Sequence, residues 1–176
     1  MPFAWLRGFE IFMVAGMKDQ SAGGFDATKF PRPRFVPPHF LVALIGAATL
    51  LTYQLKVRPM VRIFPLGLGL LVSGVALTLA GALLFRQSGA PVRPGENPIV
   101  LVTRGPYRFT RNPMYLGMLV ALAGLAFLVG TWPFFLAPIV MFTILSARFI
   151  PFEEALMTAK WGDVYREYQK RVRRWL

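Results

Sequence analysis

Apolar residues in this chain lie in long, nearly uninterrupted runs, at 40–55, 63–85, 114–130 and 133–150. They do not follow the spacing that paints one face of a soluble helix or strand. A helix crossing the hydrocarbon of a bilayer needs about 20 apolar residues, with roughly 17–25 the usual range. The second run meets this, and the others sit at or just under it. A soluble core can hide one such helix, but four would leave a chain of 176 residues almost no polar surface. Composition agrees: 55% of residues are apolar and 16% charged, against about 45–50% and about 25% in soluble domains. The expected architecture is all-α and polytopic, with about four transmembrane helices surrounded by membrane lipids. The third and fourth should form a tight hairpin, followed by cytosolic C-terminal helices.

The net charge of +12 raises the question of a nucleic-acid partner, and its placement answers it. With the four runs as spans, residues 1–39, 86–113 and 151–176 share one side and carry sixteen Lys and Arg. The other side holds Lys56, Arg58 and Arg62, plus an uncharged turn at Thr131-Trp132. Cytoplasmic loops are the ones enriched in Lys and Arg, so both termini and the middle loop are expected in the cytosol. Basic juxtamembrane segments also attract anionic headgroups. Orientation accounts for the basicity, and no nucleic acid is expected.

Residues 1–38 read as an interfacial segment and linker, with a short interfacial helix over 3–17 and a proline-rich lead-in. Residues 39–176 read as one domain. The second helix carries Gly67, Gly69, Gly74 and Gly81, a pattern that lets another helix or a ligand approach the backbone closely. From Arg86 to Asn112 the chain is polar and broken by four prolines, long for a structureless link and hence a candidate functional loop. Asn112 with Pro113 predicts a capped helix start. Pro151 should restart the chain as a cytosolic helix, with Glu153 and Glu154 in its first turn. Gly162 should end that helix and Asp163 cap the next. Arg166, Lys170, Arg171, Arg173 and Arg174 should then face headgroups or water.

One histidine, His39, and no cysteine exclude disulfides, a hydrolase triad and a zinc site, so no metal is expected. There is no phosphate loop and no Gly-x-Gly-x-x-Gly after a strand. Any cofactor must sit between helices and cytosolic segments. Two clusters carry chemistry. Residues 101–117 gather three arginines and two tyrosines around a turn and a helix start. They suit a membrane-surface loop, or a site for an anionic or nucleotide-like ligand. Residues 148–154 place Arg148 before Glu153-Glu154, and Trp161, Tyr165 and Tyr168 follow. The two acids either complement a helix dipole or accept hydrogen bonds from ribose hydroxyls or a ligand amine.

Together the clusters resemble the isoprenylcysteine carboxyl methyltransferases and the related phospholipid methyltransferases. The resemblance rests on Gly105-Pro-Tyr-Arg108, Arg111-Asn-Pro113, Tyr115, Gly117, Glu153-Glu154, Trp161-Gly162, Tyr165, Tyr168 and Arg171, in that order around the hairpin. It covers roughly residues 86–176, and Gly67-Leu-Gly69 is similar to the Gly-x-Gly of the phospholipid branch. Asn112 stands where Arg-His-Pro members have histidine, and asparagine exchanges no proton near neutral pH.

The resemblance implies a methyltransferase that uses S-adenosylmethionine and is left with S-adenosylhomocysteine. Its cofactor part would lie within 86–176, and its acceptor would be a lipophilic or small molecule reached from the bilayer. It assigns Arg111 to the methionine carboxylate and Glu153 or Glu154 to ribose or amine, with Arg111 and Glu154 the expected catalytic pair. Leu101, Val102 and Gly105 would meet adenine. Tyr107, Tyr115 or Trp161 would offer an aromatic face to the sulfonium, and Asn112 and Pro113 complete the expected cofactor contacts. Arg148, Trp161, Tyr165 and Tyr168 are the candidates for the acceptor side. The competing expectations are a membrane reductase of the sterol reductase type using NADPH, and a non-catalytic membrane scaffold.

Overall fold

A computed structural model describes residues 36–87 and 101–176. The segment expected to lie at the interface, 3–17, and residues 88–100 of the proline-broken loop fall outside these residues. The described residues are helical. α1 spans Pro37–Gln54, α2 Phe64–Gln87, α3 Pro113–Val129, α4 Trp132–Ile144 and α5 Ile150–Arg171. A short 3-10 turn, Gly105–Arg108, precedes α3, and a π-helical turn, Leu145–Phe149, joins α4 to α5.

The most extensive contact between helices is α2 against α3. Gly67, Gly74 and Gly81 recur every seven residues on the buried face of α2, opposite Gly117 and Gly124 of α3. A Cβ at Gly74 would lie 2.4 Å from the backbone N of Ala121, and one at Gly124 would lie 2.4 Å from that of Leu71. Backbone therefore meets backbone. In lipid, where apolar side chains gain nothing by leaving their surroundings, such close approach is a main source of helix association. The Thr78 hydroxyl, bonded to Gly74 O at 2.9 Å, also lies 3.3 Å from Met114 O across the seam.

At the far end Gly130 closes α3 in the left-handed region, with φ +81°. Helices leave their last carbonyls unpaired, and here the α1–α2 loop supplies donors. Ile63 N–H reaches Phe127 O at 3.1 Å, Arg62 Nε reaches Leu128 O at 2.8 Å, and Met60 N–H reaches Gly130 O at 2.7 Å.

Two stretches are long and apolar enough to cross a membrane: α2, and the continuous helical run from Trp132 to Arg171. At 18 and 17 residues, α1 and α3 do not meet both conditions. Large apolar side chains face outward along α2, among them Leu68, Val72, Val75, Leu79 and Leu83. The core lies between α1, α3 and α4, where Met141, Leu145 and Ile150 are fully enclosed with Tyr115 and Leu122.

Three expectations need correcting. The link between α3 and α4 is Gly130-Thr131, and Trp132 already belongs to α4. Pro151 does not interrupt the chain, because the π turn sits immediately before it and Ile150 N–H bonds to Leu145 O five residues back. A regular helix would drive the proline ring into the carbonyl four residues earlier, and the wider turn relieves that collision. Asn112 precedes α3 but makes no side-chain cap bond. The expected break at Gly162 is present as a kink, with φ +51° inside α5.

Candidate functional site

The site is assembled where the loop after residue 100 meets α5. Leu101 and Val102 are buried, and Gly105 opens the 3-10 turn at φ +61°. A Cβ there would lie 2.6 Å from Leu84 Cδ1, so glycine serves both the turn and its seat against α2. Tyr107 is buried with its ring 5.3 Å from that of Phe85, and its carbonyl accepts the Tyr168 hydroxyl at 2.7 Å. One short turn thus joins α2 to α5.

Residues 110–112 grip the chain that follows α5. Val172 leaves the helix in extended conformation, and residues 172–176 fold back as a strap. Arg111 N–H donates to Arg173 O at 3.0 Å. The Thr110 hydroxyl and Asn112 Nδ2 both donate to Arg174 O, at 3.1 and 2.9 Å. The Trp175 ring lies 5.1 Å from that of Phe142.

The adjacent acids of α5 have opposite surroundings. Glu154 receives two guanidinium groups: Arg111 Nη2 lies 3.1 Å from Oε1, and Arg174 spans both oxygens, Nε to Oε1 at 3.2 Å and Nη2 to Oε2 at 2.6 Å. Glu153 accepts the Tyr115 hydroxyl. Among the described residues, no Lys or Arg pairs with Glu153. Desolvation pushes the Glu153 carboxyl up to about 7; the Tyr115 hydrogen bond opposes the rise and the charge of Glu154 adds to it. The dipole reading of these acids loses force, since α5 continues α4 and its first N–H groups are not helix-end orphans.

Three further groups lack partners. The Tyr107 hydroxyl, Arg111 Nε and Nη1, and Trp161 Nε1 are buried donors with no hydrogen-bond acceptor among the described residues. Buried donors are normally satisfied, so this set calls for a ligand rich in acceptors. Burial, with Glu154's charge the next largest cause, pushes the Tyr165 phenol up to about 12. Burial raises Tyr107 and Tyr168 as well. At neutral pH these phenols are donors and aromatic surfaces rather than bases.

Residues 63–164 match the family model for phospholipid methyltransferases. The chain belongs to the phospholipid methyltransferase family. The match runs from the start of α2 to just past the Gly162 kink and takes in Gly105, Tyr107, Arg111, Tyr115, Glu153 and Glu154. Among curated proteins, the chain is 35% identical over 74 residues to a protein-S-isoprenylcysteine O-methyltransferase of Schizosaccharomyces pombe, covering 42% of this chain and 31% of that protein. It is also 35% identical over 63 residues to an uncharacterized protein of Haemophilus influenzae, 36% of this chain and all of that one. The chain thus matches about a third of the length of the S. pombe enzyme.

In this family member the expected residues divide. Tyr115 bonds to Glu153 and Arg111 pairs with the neighbouring Glu154, with Asn112 and Pro113 beside Arg111 in the chain, while Tyr107 is tied to Tyr168 through its carbonyl. Leu101, Trp161, Tyr165 and Tyr168 pack together in a buried cluster with Val172. Arg148 is exposed on the π turn, apart from the ion pairs. Sequence reasoning misses Arg174 and Thr110, and it sends Arg173 and Arg174 to headgroups or water. The strap instead turns Arg174 inward. Trp175, an aromatic directly after a basic pair, is the one sign that this end of the chain is anchored.

Proposed function

We propose that this chain is an integral membrane methyltransferase that moves a methyl group from S-adenosylmethionine to a lipophilic acceptor reached from the bilayer. The observation that carries the reading is the charge contrast between neighbouring carboxylates. The cluster of Arg111, Arg174 and Glu154 has one positive charge to spare and unpartnered donors on Arg111. Glu153, one residue away, is anionic when ionised and has no cation beside it among the described residues. A ligand with a carboxylate and an ammonium side by side satisfies both, and the amino-acid end of S-adenosylmethionine is such a group. A reduced nicotinamide dinucleotide presents anionic phosphates and brings no ammonium to Glu153.

S-adenosylmethionine, when bound, supplies a methyl group activated on a sulfonium. The chain's own work is then orientation, which lowers a barrier by holding reacting groups together. Arg111 Nε and Nη1 hold the carboxylate and Glu153 accepts the ammonium, while Tyr107 and Trp161 offer donors and ring faces. Asn112 spends its amide on the strap, so no base acts from that position. A carboxylate or thiolate acceptor needs none, and an amine acceptor is the case that requires proton removal.

The membrane placement belongs to the same proposal: four spans, α3 and α4 as a hairpin, and both ends of the chain in the cytosol. Support comes from the outward apolar faces and the one-sided Lys and Arg distribution. With no native cysteine, single introduced cysteines report sidedness directly. Titration with S-adenosylmethionine, S-adenosylhomocysteine and NADPH tests the chemistry. The first two should bind, and methyl from labelled donor should enter a lipid extract. NADPH binding alone would replace this reading with a reductase, and no binding at all with a scaffold.

A further inference from the structure

Arg174 lies outside the stretch that matches the family model, yet it makes the most complete charge contact in the site. Its guanidinium spans both oxygens of Glu154 while its backbone carbonyl is held by Thr110 and Asn112. Two neighbours therefore fix where that guanidinium lands. Arg111 reaches Glu154 through Nη2 alone, onto the oxygen that Arg174 Nε also contacts. If Arg111 and Glu154 were alone, the pair would be neutral and unattractive to an anion. Arg174 takes a share of the carboxylate's charge and geometry, so Arg111 keeps positive charge in excess of what Glu154 cancels. Charge-assisted, two-point contacts of this kind are the stronger class of hydrogen bond.

We propose that Arg174 is a positioning residue that tunes the site for an anion, leaving Arg111 able to bind the carboxylate of the ligand's amino-acid end. The strap thereby becomes a wall of the site, and Asn112 is the latch that seats it. This rests on the S-adenosylmethionine reading above.

The test compares two ligands against the full chain in lipid nanodiscs: S-adenosylhomocysteine, and its aminopropyl analogue that lacks only the carboxylate. Wild type should favour the carboxylate form by about tenfold or more, as expected for a hydrogen bond to a charged group. Arg174→Gln, which keeps polarity and removes charge, should lose most of that preference while binding the analogue as well as wild type does. Arg174→Lys should keep most of it. A merely structural strap would weaken both ligands equally in Arg174→Gln. That result, or an unchanged preference, overturns the proposal while leaving the cofactor reading intact. Absence of binding by wild type would overturn both. Hydrogen exchange at the Arg111 amide, which bonds to the strap, shows whether each variant still seats it.

Discussion

Tyr115, in the first turn of α3, gives its hydroxyl to Glu153, in the first turn of α5. That contact separates the roles of two neighbouring acids: Glu153 faces phenols, and Glu154 faces guanidinium groups. It also leaves Glu153, a carboxyl pushed up to about 7 by burial, with a phenol rather than a cation as its partner.

Ligand affinity should therefore depend on pH through Glu153. Its carboxyl stands raised from 4.5 to about 7, so the ionised form that pairs with an ammonium appears only as pH climbs through about 7. S-adenosylhomocysteine affinity should rise over that window and stay weak and flat in Glu153→Gln. Tyr115→Phe removes the one contact that opposes the rise, so the midpoint should move upward. A wild-type titration curve flat from about pH 6 to about pH 8 would dismiss Glu153 as the ammonium's partner.

The same shift has a stability consequence of opposite sign. A carboxyl raised on folding helps most below its ordinary value and loses that contribution as pH rises through the folded value. Thermal melts should show the wild-type chain losing stability between about pH 5 and about pH 8, and Glu153→Gln losing less over that range.

Arg111→Ala and Glu154→Gln should each weaken S-adenosylhomocysteine binding by about tenfold or more. Arg111→Ala removes the carboxylate's donors, whereas Glu154→Gln removes the contacts that fix where Arg111 and Arg174 point, a loss of geometry that outweighs the gain in positive charge. Calorimetric titration of both variants decides it. Unchanged affinity in the pair would show that the ligand binds elsewhere.

The glycine seam gives a packing prediction with an internal control. Gly74→Leu forces a side chain against the backbone of Ala121, and overpacking of this kind costs about 1–3 kcal/mol or more. At Gly69 an added methyl group would meet nothing within 4 Å, so Gly69→Ala should leave the melting temperature of the purified chain nearly unchanged. Equal melting temperatures for the two variants would show that the seam does not hold α2 to α3.

Much of this is legible in the residues, for identifiable reasons. Gly105-Pro-Tyr-Arg108 and the paired acids announce themselves because their chemistry depends on local order in the chain. The glycines of α2 signal close approach, but a repeat on one helix does not name its partner. Pro151 reads as a break in the sequence because a π turn is a response to packing and leaves no mark in composition. Arg174 is hidden for a different reason. A basic pair after an amphipathic helix has the composition of a solvated end, and only the extended Val172 backbone brings it round to Glu154, twenty residues away in sequence.

The seam also fixes how the chain tolerates change. At Gly67, Gly74, Gly117 and Gly124 the side chain is already the smallest one available, so no substitution can trade volume downward and let a neighbour compensate. Every replacement acts in one direction, prising apart two helices that carry, between their ends, the far-side loop at Met60–Ile63 and the Gly105–Arg108 turn. A methyl group added in the middle of the seam would thus be felt at the Gly105–Arg108 turn, where no altered residue lies.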